Sequence, residues 1–247
     1  LVREADARGL SLFAAPSCCA SPAFGALRDL IGSGELGEVY AAHARYGHSG
    51  PDWGPWFYGP QGGPILDLAV YNVTFLTGLL GPAHAVTALT ATTRPHRTVE
   101  GMDVAVECED NAAILLDHGR GRISCVQTGF VYGRCRDDWS VELIGAQGSA
   151  YLLGWDWEPH GVEVWTERYP RGHRRAEDQR GYHWRNCASL AVRSLANGTP
   201  EPALDPVRAL HVLEIMERAR ESGRTGLRYA LASANDGTAR QPETDAP

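Results

Sequence analysis

Between Ala83 and Thr166 the chain alternates short β-type runs with turns that leave it no choice but to double back. The runs are Ala83–Thr93, Met102–Cys108, Ala112–Asp117, Arg122–Tyr132, Trp139–Ile144, Ala150–Leu153 and Val162–Thr166. Several are separated only by Glu109-Asp110-Asn111, by His118-Gly119-Arg120-Gly121 or by Gly145-Ala146-Gln147-Gly148. Connections this short join antiparallel neighbours, because a parallel pair needs a long crossover. A large, mostly antiparallel sheet is predicted. Helices should cover one face, leaving the other to water or a second subunit.

A helix suited to that cover lies just upstream, in Gln61–Pro82, QGGPILDLAVYNVTFLTGLLGP. Pro64 suits the first helical position, where its missing N–H is not needed, and Gly81-Pro82 ends the helix. Asp67, Tyr71, Thr74 and Gly78 fall at i, i+4, i+7 and i+11, stacking along one stripe of an otherwise apolar helix. A carboxylate and a phenol there need a polar partner or a wet cavity, since burying them unpaired is costly. Two readings stand together. Asp67 is a first-turn acid favoured by the helix dipole and Tyr71 a core tyrosine, or the pair forms one wall of an active site.

The flanking segments fill in the plan. Leu10–Ala15 reads as a short buried strand between a helix ending at Gly9 and a helix begun by Ser21-Pro22 and closed by Gly32 and Gly34. Helix, buried strand, helix is the rhythm of a parallel α/β unit. Leu36–Tyr46 follows as a longer strand. The loop Gly47–Gly63 carries Trp53, Trp56, Phe57 and Tyr58. Beside a polar helix stripe such aromatics line a sugar-sized pocket, or they pack over the sheet. Helices are predicted over His183–Ala196 and from Asp205-Pro206 to Ser222, with His211 as a packing residue. A last strand is predicted at Leu227–Leu231, then a disordered tail from Ala232.

Composition removes whole classes of function. A net charge of −7 argues against nucleic acid, and the arginine-rich stretch Arg168–Arg180 also holds acids, as a solvated loop would. No apolar run spans a bilayer and no leader is expected. The six cysteines lack metal or disulfide spacing, which predicts reduced thiols in the cytoplasm and no metal. Sequons at Asn72 and Asn197 are discounted accordingly. Lysine is absent, all 23 basic residues being arginine, so no step can use a lysine amine.

Four stretches carry a resemblance: LRDLIGSGELGEVYAA (27–42), GGPILDLAVYNVTFLTGLLGP (62–82), VELIGAQGSAYL (141–152) and NGTPEPALDPVRALHVLEIMERARESG (197–223). In order and spacing they resemble the superfamily of glucose–fructose oxidoreductase, inositol dehydrogenase and MocA-type oxidoreductases. The resemblance implies an α+β fold: a large open, mostly antiparallel sheet with helices on one face, preceded by a fragment of a Rossmann domain. It divides the chain into a Rossmann remnant (1–35), a substrate and oligomerisation domain (36–231) and the tail (232–247). It further implies NAD or NADP as cofactor, a sugar, cyclitol or other polyol as substrate, and a homodimer or tetramer built through the open sheet face. The glycine fingerprint and the Glu-Lys-Pro segment of that family would lie upstream of Leu1, so no cofactor-binding residue is assigned. Asp67 and Tyr71 take the catalytic positions, polarising or orienting a hydroxyl, with Tyr71 where a histidine is usual. Trp53, Trp56, Tyr58 and His183 would shape the pocket. The alternative is a non-catalytic sugar-binding or dimerisation module.

Overall fold

A computed structural model describes residues 1–133 and 138–235. Helices α1 (Val2–Ala7) and α2 (Pro22–Gly32) precede strand β1 (Val39–Gly47). Two closely coupled helices follow, α3 (Pro64–Asp67) and α4 (Ala69–Leu80), and then β2 (Ala85–Ala91). A separate hairpin, β3 (His96–Val99) and β4 (Met102–Ala105), leads to β5 (Asn111–Asp117) and β6 (Ile123–Gly129). The meander β7 (Val141–Gly145), β8 (Gly148–Gly154), β9 (Pro159–Thr166) and β10 (Tyr169–Arg175) follows. Helices α5 (Cys187–Asn197) and α6 (Pro206–Thr225) and a short β11 (Tyr229–Ala230) complete the described chain.

The strands form a nine-stranded sheet in the order β10-β9-β8-β7-β1-β6-β5-β2-β11. Among the described residues its one parallel pair is β1–β6, in register from Ala41↔Ile123 to Gly47↔Gly129. Alternation fixes which side faces in. Ile114, Leu116, Val126, Leu143, Leu152, Val162 and Val164 are buried beneath α2, α4 and α6. Leu89, Leu115 and Ile123 point the other way and are exposed. Burying each large side chain contributes about 2 kcal/mol, so this one face supplies most of the fold's driving force. Phe24 of α2 meets Phe75 of α4 edge-on, ring centroids 5.0 Å apart. Gly78 permits that approach, since a Cβ there would come within 2.9 Å of the Phe24 ring. Asp205 caps α6 by accepting from Val207 N–H at 2.9 Å. Buried His211 accepts from Ala83 N–H at 3.0 Å, the packing role expected of it.

Several expectations are corrected. Leu10–Ala15 is not a strand: it carries no ladder, and Ala14 N–H goes to the Leu204 carbonyl. A buried strand needs neighbours on its edges, and none lies beside it among the described residues, so the opening segment shows no clear parallel α/β unit. Instead α2 joins the same core as the sheet. Met102–Ala105 does not pair with β5. It pairs with β3, because Asp110 accepts from Thr93 N–H at 2.7 Å and Arg94 N–H at 2.9 Å and ties the hairpin's base away from the sheet. The stretch read as a solvated arginine loop contains edge strand β10, hidden in sequence by its charge. Helix α6 runs past Gly223 to the left-handed Gly226. Residues 232–235 form a 3-10 turn whose Ala232 and Ser233 N–H groups reach Glu214, and the remainder of the predicted tail lies outside the described residues. No helix among the described residues is long and apolar enough to cross a membrane.

Candidate active site

The predicted central helix is broken where it matters. Gly63 (φ 99°) turns the chain into α3, and a Cβ on it would overlap the Glu109 carboxylate. Glu109 is held by Arg220 of α6, whose Nη2 also donates to the Pro60 carbonyl at 2.6 Å. Leu68 joins the two helices with a distorted right-handed backbone (φ −107°, ψ −48°) and buries its side chain with Tyr58, Val99, Val106, Cys108 and Phe130. Tyr71 N–H accordingly bonds to Leu68 O, three residues back, at 3.2 Å. One helix therefore becomes two, with Asp67 at the end of the first and Tyr71 in the first turn of the second.

Asp67 is half-buried and its carboxyl makes no hydrogen bond or ion pair among the described residues; burial pushes that carboxyl above the usual range. Burial also raises the Tyr71 phenol, and the charge of Asp67 raises it further. The two predicted groups are thus near enough for the Asp67 charge to act on the Tyr71 phenol across the break.

Around them stands an aromatic wall that sequence reasoning did not assemble. Tyr46 of β1 lies 6.2 Å from the Tyr71 ring and 5.0 Å from that of Trp155. Trp157 lies 6.2 Å from Tyr46 and 5.7 Å from Trp184. The exposed His183 stacks on Trp184 at 5.8 Å, so this predicted residue does reach the wall, at its outer end. Between the tryptophans of the β8–β9 turn, Asp156 is fully buried and accepts from Asn72 Nδ2 at 2.6 Å. The sequence signal for these residues was the Trp155-Asp156-Trp157 triplet in a turn, and Asn72 in an apolar helix.

The other predicted pocket residues go elsewhere. Trp53 and Trp56 pack with Phe57 into an exposed aromatic cluster, which reaches the wall through Phe130 and His48. Tyr58 is a core residue and not a pocket wall: it is 1% exposed, and its hydroxyl donates to the Pro51 carbonyl at 2.6 Å. Asp67 and Tyr71 line neither of two cavities found elsewhere on the described residues. One, of about 380 Å³, lies on the uncovered sheet face beside Tyr151, Glu163 and Trp165. The other, of about 680 Å³, lies between β2 and α6 beside Glu109 and Arg220.

No group of three potential metal ligands is found among the described residues. The only glycines at fingerprint spacing, Gly32, Gly34 and Gly37, follow a helix and precede a strand, the reverse of a dinucleotide cradle. Gly37 faces Gln147 and Ala146 of the β7–β8 turn, where a Cβ would sit 3.0–3.1 Å from them. These residues do not fit a pyrophosphate.

The profile of the GFO/IDH/MocA C-terminal domain matches residues 24–151, just over half of the chain. The chain belongs to the GFO/IDH/MocA family. Within curated relatives it is 26% identical over 240 residues to the trans-1,2-dihydrobenzene-1,2-diol dehydrogenase of Oryctolagus cuniculus, covering 90% of this chain and 66% of that protein. The enzyme of the same name from Macaca fascicularis is 30% identical over 173 residues, 66% of this chain and 46% of its own. The chain thus spans about two thirds or less of the relatives it matches. Solved structures of oxidoreductases share the fold. An oxidoreductase from Agrobacterium radiobacter, in complex with NAD+, L-tartaric acid and magnesium, superposes with a TM-score of 0.74 at 18% identity, covering 93% of this chain and 67% of that one. Aldose-aldose oxidoreductase from Caulobacter crescentus, complexed with glycerol, gives 0.75 at 16% identity over 93% and 67%.

Proposed function

We propose that this chain supplies the substrate side of an NAD(P)-dependent oxidoreductase acting on a vicinal diol, sugar or related polyol. The observation that carries the reading is the pairing of an unpartnered, half-buried Asp67 with Tyr71 across a helix break beside an aromatic wall. Oxidising a secondary alcohol removes a proton from its hydroxyl as hydride leaves its carbon. Asp67, made more basic by burial, takes that proton. Tyr71, whose raised pKa keeps it neutral, donates a hydrogen bond to the same oxygen. Tyr46, Trp155 and Trp157 present apolar faces suited to a carbon ring. The relatives' name, a cyclic diol dehydrogenase, supports a vicinal diol.

NAD(P) enters at the level of the family, where it accepts the hydride. This chain's own glycines build no cradle for it, and its residues are assigned to the substrate alone. That same observation favours a second reading, a polyol-binding module without catalysis. Titration with NADH and NADPH, followed by nucleotide fluorescence, separates the two. Saturable binding with diol-dependent reduction of NAD+ or NADP+ supports the enzyme. Diol binding without nucleotide binding supports the module.

A further inference from the structure

The buried Asn72–Asp156 contact is only half satisfied by the atoms around it. Asn72 Nδ2 donates to Asp156 Oδ2 at 2.6 Å, and both residues are fully buried. Their other oxygens, Asn72 Oδ1 and Asp156 Oδ1, are also buried, and neither has a hydrogen-bond partner. An amide oxygen and an ionised carboxylate oxygen can only accept, so a charged Asp156 leaves two acceptors orphaned in the interior, at a cost of several kcal/mol by ordinary desolvation values. A single proton on Asp156 Oδ1 turns one of them into a donor for the other.

We propose that Asp156 is held as a neutral carboxylic acid, donating from Oδ1 to Asn72 Oδ1, and that this two-bond acid–amide pair is the positioning element that seats the Trp155–Trp157 wall against Tyr46 and Tyr71.

The surroundings favour the neutral form. Facing Asp156 are Tyr46 from β1, Tyr71 from α4, Cys18 and Cys19 from the 3-10 turn after Ser17, and Tyr182 from the segment before α5. None of these is a cation, and the Arg208 guanidinium acts on the two thiols. Burial pushes the Asp156 carboxyl to about 7, even though Asn72 and the backbone N–H groups of Asp156 and Trp157 pull it down. Tyr182 donates to the Trp157 carbonyl at 2.9 Å, so the turn is tied from outside as well. Above neutrality the proton leaves, two acceptors face one another, and the turn carrying both tryptophans keeps only one of its two bonds to α4. The consequence for substrate rests on the reading of Asp67 and Tyr71 given above; the protonation of Asp156 does not.

The test reads tryptophan emission of this chain against pH, without substrate or nucleotide. The wild type is expected to show a one-proton transition centred at about pH 7. In Asp156→Asn, whose amide reproduces both hydrogen bonds, the transition is expected to vanish and the low-pH spectrum to persist throughout. Infrared difference spectra between wild type and D156N should contain a protonated-carboxyl band below pH 7 that fades above it. That measurement on the wild type stands even if the variant folds poorly. A flat wild-type emission from about pH 5.5 to about pH 8.5 with no carboxyl band would overturn the proposal. It would mean a charged Asp156 whose second oxygen is satisfied by a buried water. A transition retained in D156N would overturn it too, by assigning the proton to another group.

Discussion

The Arg220 Nε stands 3.2 Å from a Glu109 carboxylate oxygen, joining the long helix α6 to the glycine turn that launches Asp67. Glu109 is 7% exposed and Arg220 22%, and burial holds the Glu109 carboxyl above the usual range even with the guanidinium beside it. Arg220→Ala leaves that carboxylate buried and unpaired. It should cost about 2–4 kcal/mol, the lower end reflecting the partial wetness of Arg220. Urea unfolding of the variant beside the wild type checks this, and a difference under about 0.5 kcal/mol, as for an exposed pair, would contradict it.

Two buried groups should tilt the stability curve in opposite directions. His118 is held neutral, its pKa lowered by burial to about 4, with its ring nitrogens 2.9 Å from the Gly81 carbonyl and the Ser124 hydroxyl. The unfolded chain takes up that proton near pH 6.5, so the His118 contribution is present above that pH and lost on acidification toward 4. Asp156 does the reverse: its folded pKa lies above the unfolded one, so its contribution is present below about pH 4 and lost as pH rises to about 7. Each is worth on the order of 3–4 kcal/mol across its window, and over the shared range they largely cancel. Unfolding free energies between about pH 4 and pH 7 should therefore rise with pH in D156N more steeply than in the wild type. Parallel curves would show that the Asp156 pKa does not move on folding.

The uncovered sheet face should join two copies of the chain. Leu115 on β5 sits diagonally between Leu89 on β2 and Ile123 on β6, and all three are at least half exposed. Contiguous apolar side chains on an open sheet are the usual mark of a protein interface. Sedimentation velocity should give a dimer or tetramer, and Leu115→Glu should shift it toward monomer with an unchanged circular dichroism spectrum. A monomeric wild type would leave this face facing water alone.

The sheet could be read from the sequence because alternation and turn length are local properties. Ala112–Asp117 and Ala150–Leu153 carry both signals, and both are strands. What escaped was decided by distant partners. Edge strand β10 is arginine-rich because water lies on one side of it, so no hydrophobic pattern marks it. The helix break at Leu68 is set by a satellite core around Phe130, whose members lie far along the chain. Tyr58 reads like Trp53 and Trp56 in the sequence, yet a carbonyl seven residues upstream and the Arg97 guanidinium over its ring draw it inward. Asp67 and Tyr71 were visible as polar residues in an apolar helix. The Trp155-Asp156-Trp157 turn that faces them lies more than eighty residues on, and only the fold brings it there.

Replacing Tyr71 separates the two roles at the site. Tyr71→Phe keeps the ring beside Tyr46 and removes the hydroxyl. Turnover of a vicinal diol should fall by roughly 10- to 100-fold, with a smaller change in diol affinity, because the lost hydrogen bond forms chiefly to the oxygen as it gains charge. Equal losses in both would reassign Tyr71 to simple binding.

With Asp67 as the group that takes the substrate's proton, the decisive experiment is the pH profile of diol oxidation by wild type and Asp67→Asn. The wild type should lose activity on acidification with a midpoint above the ordinary carboxylate value, in the direction burial moves Asp67. D67N should lie about 10²- to 10⁴-fold lower, without that acid limb. Turnover in D67N equal to wild type, with the same acid limb, would contradict the claim.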